Sequence, residues 1–271
     1  MSSTCHTIRV GPEQLIARLN ALRDLRVRVL ALVQAMRDGD PAVWVQVLAA
    51  IMTRAHRDDD PGAAEVLETI THAAGDPALP YPLRQELYEA ASRQDLPAVA
   101  RLFLVASPPT IDAHQLARSL APERPLHPAG RPLTLGERKF LARTHDRAKI
   151  LLLLRDPHPA VVAILLDNPH VIEADVVQVA SARGAVPASL ALLAAHPRWS
   201  VRHPVKRALV LNPSTPLADA IRIATTLRAG ALRELSVDPS LPEPLRTHAA
   251  QVYAHLGISA GANGPHRGPP P

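Results

Sequence analysis

Cations at helical spacing are the clearest chemical signal in this chain. Arg138, Lys139, Arg143, Arg147 and Lys149 crowd one short stretch. Lys139, Arg143 and Arg147 recur every four residues, so a helix through them presents one basic face, with Phe140 and Leu141 beside it. Arg198, Arg202, Lys206 and Arg207 gather near the start of a later helix, with Trp199 among them. Such faces suit phosphate or an acidic peptide, because Lys and Arg neutralise anionic charge and release its counterions. If both faces line one concave side they form a groove, and Trp199 stacks there on a base or a guanidinium. The plainer role for Trp199 is a wedge between repeats. Arg138, Lys139, Arg143, Arg147, Arg198, Trp199, Arg202, Lys206 and Arg207 are therefore the candidate partner-binding residues.

Catalytic and metal chemistry finds less support. The chain has no phosphate-cradling GxxxxGK[ST], no GxGxxG after a strand, no HExxH and no GxSxG. His196 and His203 are seven apart, as are His248 and His255. Pro197 and Pro204 interrupt the first pair, and roughly 10 Å of helical rise separates the second, too far for one ion. Asp58, Asp59 and Asp60 lack the spaced oxygens and Gly turn of a calcium loop; Asp60 reads as the cap of a helix at Pro61, and its neighbours as solvated charge. Cys5, the single cysteine, excludes an internal disulfide or a thiolate-built cluster and fits a reducing compartment. No catalytic residue, cofactor or metal is expected.

The elements that must position the cations are helices. Of 271 residues 47% are apolar but only 3% aromatic, which is poor stock for strands and excludes wholesale disorder. No apolar run reaches the roughly 18 residues of a membrane span, and MSSTCHTIRV lacks the apolar stretch of a secretory signal, so the expected setting is soluble and cytoplasmic. The net charge of +5 is unevenly spread: residues 58–112 carry ten acids and three bases, residues 131–233 seven acids and fifteen bases. That asymmetry either steers an acidic partner or lets the two halves attract each other.

Residues 12–37 repeat apolar positions as one amphipathic face through Leu15, Leu19, Leu22, Leu25 and Val29. Asp40-Pro41 and Asp60-Pro61 each read as a cap followed by a first helical residue, with Trp44, Val47, Leu48 and Ile51 behind one and Val66, Leu67 and Ile70 behind the other. Most of the 28 prolines mark such starts. The exceptions are residues 108–134, read as a Pro-rich linker, and 257–271, read as a disordered tail; they separate an N-terminal helical domain (1–107) from a C-terminal repeat region (135–256).

Internal similarity supports that repeat region. Asp76–Arg84 (DPALPYPLR) and Asp238–Arg246 (DPSLPEPLR) agree at seven of nine positions. Asp156-Pro157, His196-Pro197 and Asp238-Pro239 recur at 40 and 42 residues, with Asn168-Pro169 and Asn212-Pro213 between them, 44 apart. Asn hydrogen-bonds local backbone where a helix ends and the following Pro forbids continuation, so each pair sets a sharp turn. Thr215-Pro216 then reads as an N-cap and first helical residue, followed by the stripe Leu217, Ile221, Ala224 and Leu227. Units of 40 to 47 residues with paired helices predict a HEAT-like stack.

Residues 135–256, above all HPRWSVRHPVKRALVLNPSTPLADAIRIATTL, resemble the bacterial leucine-rich repeat variant units and HEAT-like α-solenoids. His196-Pro197, Val201-Arg202 and Asn212-Pro213-Ser214-Thr215-Pro216 match the variant pattern, whereas Asn168-Pro169-His170-Val171 lacks its Thr-Pro. Members can carry an iron–sulfur module with several cysteines, which Cys5 alone cannot supply. The resemblance implies an all-α solenoid of stacked hairpins that acts as a scaffold. The expected function is non-enzymatic binding of a protein partner, an acidic one on the charge argument, through the basic surface of residues 138–207. The alternative is a nucleic-acid binder using the same surface, akin to HEAT-like DNA glycosylases, although no catalytic carboxylate beside groove aromatics is evident.

Overall fold

The computed structural model describes residues 11–56, 60–104 and 133–255, and every regular element among them is helical. Cys5, Asp58, Asp59, most of the expected linker and the expected tail lie outside the described residues. Among those described, no helix is long and apolar enough to cross a membrane.

The N-terminal half folds as α1 (Pro12–Asn20), α2 (Leu25–Arg37), α3 (Pro41–Ala55), α4 (Pro61–Gly75), α5 (Tyr81–Arg93) and α6 (Pro97–Leu102). The apolar repeat over 12–37 is two helices and not one. Asp24 breaks it by turning its carboxylate onto the amides of Arg26 and Val27, which starts α2 afresh. Asp40 and Asp60 cap α3 and α4 as their Asp-Pro pairs predict. The second half continues as α7 (Leu135–Leu141), α8 (Arg147–Leu153), α9 (Pro159–Asp167), α10 (Glu173–Ser181), α11 (Pro187–Ala195), α12 (His203–Leu211), α13 (Leu217–Thr225), α14 (Ala229–Val237) and α15 (Glu243–His255).

One turn recurs wherever a helix ends on Asp-Pro, Asn-Pro or His-Pro. Its first side chain accepts the amide two residues on: Asp76 from Ala78 at 2.7 Å, Asp156 from His158 at 2.9 Å, Asn168 from His170 at 2.9 Å. His196 does the same for Arg198 at 3.3 Å, Asn212 for Ser214 at 3.0 Å and Asp238 for Ser240 at 2.9 Å. The fourth residue then plugs the core in five of the six turns, as Leu79, Val171, Trp199, Thr215 and Leu241. Thr215 is not the expected N-cap. Its hydroxyl donates back to the Leu209 carbonyl at 2.7 Å, and Pro216 precedes α13 without a side-chain cap.

In the second half, alongside contacts between chain neighbours, of which α14 on α15 is the most extensive, helices also pack on the next but one. α7 packs on α9, α9 on α11, α11 on α13 and α13 on α15, while α10 packs on α12. The first series starts at Leu135, Pro159, Pro187, Leu217 and Glu243, so its members recur every 24 to 30 residues, a closer spacing than the 40 to 47 of the proline-marked turns. Asn168 and Asn212 follow α9 and α12, which belong to different series. Their 44-residue spacing therefore records a shared turn and not a shared set of packing neighbours. Of the stripe after Pro216, Ile221, Ala224 and Leu227 are buried, whereas Leu217 is exposed.

The two halves share one contiguous apolar core running from Leu15 to Val252. α4 and α6 pack on α13, and α6 also packs on α15. A side chain at Gly75 would meet the Arg222 guanidinium at 3.0 Å, so glycine there lets α4 approach α13 closely.

Candidate functional site

The cations predicted to form one basic surface have three different fates. Three of the nine candidate residues are buried. Arg138 lies under the surface with Asp156, its Nη1 donating to both carboxylate oxygens at 2.7 and 2.8 Å. Lys206 turns inward to Glu68 on α4. Trp199 is buried, its indole N–H donating to the Leu166 carbonyl of α9 at 2.8 Å. The helical-face reading fails for these residues for a common reason: each is turned inward, where a charge or indole N–H must find an internal partner.

Arg147, Arg202 and Arg207 are exposed but tied to carboxylates on other helices. Arg147 grips Asp175 of α10 through two hydrogen bonds at 2.5 Å. That guanidinium, helped by the Ile172 amide, holds the Asp175 carboxyl below its usual range against the opposing effect of burial. Arg202 reaches toward Glu173 at 3.9 Å and Arg207 toward Glu234 at 3.1 Å. Lys139, Arg143 and Arg198 have no carboxylate within ion-pair reach among the described residues. Arg143 donates to the Lys139 carbonyl at 3.0 Å, and Arg198 lies over the Trp199 ring at 4.2 Å.

The exposed cations nevertheless come together, on an edge made of turns and not on a concave helix face. Asn168 donates to the Ala142 and Thr144 carbonyls at 2.8 and 2.9 Å, which lays the α9–α10 turn against the α7–α8 turn. Trp199 to Leu166, and His196 Nε2 to Asp167 at 3.2 Å, lay the α11–α12 turn against α9 in the same way. Three rungs follow in order, and interaxial distances of 8–10 Å give them a span of about 20 Å. They carry Arg143, Arg147, Lys149, Arg198 and Arg202 against Asp146, Asp167, Glu173 and Asp175, so the edge is only slightly cationic. Sequence reading missed its apolar part beyond Phe140. Phe140 is 69% exposed, Ile172 53% and Val201 41%, roughly one per rung. Single exposed apolar residues give no periodic signal, and only the lateral stitching of the turns shows them as neighbours.

A second polar cluster sits where the halves meet. Lys206, Glu68, His72, Ser200, Asp219 and Arg222 line a small cleft between α4, α12 and α13. His72 Nε2 and Ser200 Oγ lie 3.1 Å apart, and burial, followed by the nearby Arg222, pushes the imidazole below its ordinary range, so it is neutral near pH 7. Arg222 is itself paired with Asp219. Burial lowers Lys206 to about 8 even with Glu68 beside it. The cleft is a set of satisfied pairs that joins the acidic half to the basic half. Neither histidine pair converges on an ion: His248 is fully buried, with Nε2 on the Thr225 hydroxyl at 2.8 Å, and His196 serves its own turn. Among the described residues no group of three or more His, Cys, Asp or Glu side chains is placed to hold a metal.

Comparison with protein-family models, with curated proteins and with solved structures finds no match for this chain in any of the three.

Proposed function

We propose that residues 135–255 form an α-solenoid scaffold, in keeping with the resemblance to leucine-rich repeat variant and HEAT-like repeats, and that its turn edge binds an acidic protein partner. The observation that carries this reading is the pairing of exposed apolar and Arg side chains over three adjacent rungs: Phe140 with Arg143, Ile172 between, Val201 with Arg198 and Arg202. Interfaces between proteins favour aromatic residues and Arg over other surface types. A phosphate backbone needs cations alone, and the aromatic that a base would stack on, Trp199, is buried. The rungs are held by internal hydrogen bonds, so little ordering entropy opposes binding.

The test uses Arg143→Glu, Arg198→Glu and Arg202→Glu together, and Phe140→Ser separately. Arg147 is left intact, because its loss strands the buried carboxylate of Asp175. Both variants are expected to stay folded and to lose the captured partners and the affinity for a glutamate-rich peptide ending in apolar residues. An unchanged set of partners removes this edge from the proposal. Binding of duplex DNA that falls steeply with salt, and that Phe140→Ser leaves intact, establishes the nucleic-acid alternative in its place.

A further inference from the structure

We propose that the opposite edge of the second half holds a binding site for a small carboxylate with an apolar tail. Leu154–Pro157 before α9 and Ala182–Val186 before α11 enclose, with α9 and α10, a cavity of about 490 Å³. That size lies within the range of small-molecule sites, about 300–1,000 Å³. Its inner wall is apolar: Leu154, Val162 and Val179 are buried side chains that line it.

Its mouth is cationic. Arg155 and Arg183 line it, both are exposed, and neither has a carboxylate within ion-pair reach among the described residues. Asp156 is the one acidic lining residue, and its oxygens are already engaged by Arg138 and by the His158 amide. The uncompensated charge around the cavity is therefore positive. The Ser189 hydroxyl provides an independent pointer to a ligand. Ser189 lines the cavity, is 3% exposed, and its Oγ has no hydrogen-bond partner. A buried hydroxyl without a partner is costly, and a ligand oxygen beside it removes that cost. Ser189 lies in the first turn of α11, which begins without a side-chain cap, so the positive end of the helix dipole faces the same place.

These features sort a ligand into two parts. An anionic group with planar oxygens suits two guanidinium forks and a hydroxyl donor. An alkyl or aliphatic tail suits the inner wall, where each buried methylene adds affinity.

Calorimetry on the full chain tests the site with octanoate, with octanamide as the neutral counterpart, and with a short acetylated peptide ending in Leu as a free acid or an amide. Octanoate is expected to bind saturably, and octanamide at least about tenfold more weakly, the loss typical of a charge-assisted contact. Arg155→Gln and Arg183→Gln are each expected to weaken octanoate by about tenfold, and Ser189→Ala by a few-fold, with thermal unfolding nearly unchanged for the two exposed arginines. Binding of the free-acid peptide in place of octanoate identifies the source as a chain terminus; binding of octanoate alone identifies a free acid. No binding by either acid, equal binding of octanamide, or wild-type affinity in both arginine variants overturns the site.

Discussion

Replacing Glu68 with Leu removes the carboxylate facing Lys206, whose side chain is only 7% exposed. Breaking a buried pair from one side costs about 3–5 kcal/mol, and the lower end applies because the stranded lysine can shed its proton. The reverse change, Lys206→Met, strands Glu68, which is 19% exposed and still reaches water, so about 1–2 kcal/mol is expected. Joining both changes replaces the pair with apolar contact and should cost no more than about 1–2 kcal/mol, giving a coupling of about 3 kcal/mol. Urea unfolding of the four proteins measures the cycle, and Glu68→Leu alone should lower Tm by about 6–12 °C.

The same pair gives a signature in pH. The unfolded lysine holds its proton to about 10.5, whereas burial makes the folded one release it at about 8. Between those values the unfolded state binds more protons, so stability climbs with pH, by up to about 3 kcal/mol for this group. Lys206→Met should abolish that climb. Single losses under about 1 kcal/mol each, as exposed ion pairs show, or identical alkaline slopes in wild type and Lys206→Met, would refute the account of a desolvated junction.

Other consequences are as direct. Burial holds His248 down to about 3, so the unfolded state takes up a proton near its ordinary 6.5 while the folded state does not, and stability falls as pH drops below that value. His248→Gln should flatten this acid limb in urea midpoints taken across it. Asn212 donates to the Ala180 and Ala182 carbonyls at 2.7 and 3.1 Å, so Asn212→Ala should cost about 2 kcal/mol, and Asn212→Asp more, because it sets oxygen against oxygen. Gly184 has φ of 80° with open space around it, and Gly184→Ala should destabilise by about 1 kcal/mol through backbone strain alone. Gly230 lies inside α14 in equally open space, and Gly230→Ala should stabilise by up to about 1 kcal/mol; the two changes therefore have opposite signs in one melting experiment.

What was legible in the sequence was what neighbours along the chain decide. Asp40-Pro41, Asp60-Pro61 and the Asn-Pro pairs carry both the hydrogen-bonding group and the residue that forbids continuation, so the elements and their turns follow locally. Pairings between distant residues were not legible. Arg138 reads as part of a cationic face until Asp156 is seen beneath it, and Lys206 until α4 brings Glu68 to it from the other half. The charge imbalance between the halves was open to two readings, and the Lys206–Glu68 contact shows that part of it acts within the molecule. The spacing of the Asn-Pro pairs does not report packing for a related reason. One turn serves both series of helices, so its spacing along the chain counts helices without saying which ones touch.

The turn itself explains where recognition is free to vary. Its first residue must accept an amide, its second is proline, and its fourth is usually buried, leaving the third side chain the least constrained of the four. That third position holds Ala78, His158, His170, Arg198, Ser214 and Ser240, all exposed or half-buried. Its backbone amide is engaged in all six turns, and the side chain is hydrogen-bonded in two of them, where His158 caps α9 and Ser240 donates to Asp238; in the other four the fold asks only for the amide. On the edge proposed to bind a partner the slot carries His170 and Arg198, polar side chains able to donate hydrogen bonds outward. Helix faces are consumed by their neighbours, as Arg138 and Lys206 illustrate. A chain built this way can change what it recognises by substituting one residue per turn, and Arg198→Ser should therefore leave stability within about 0.5 kcal/mol of wild type while weakening the proposed acidic partner.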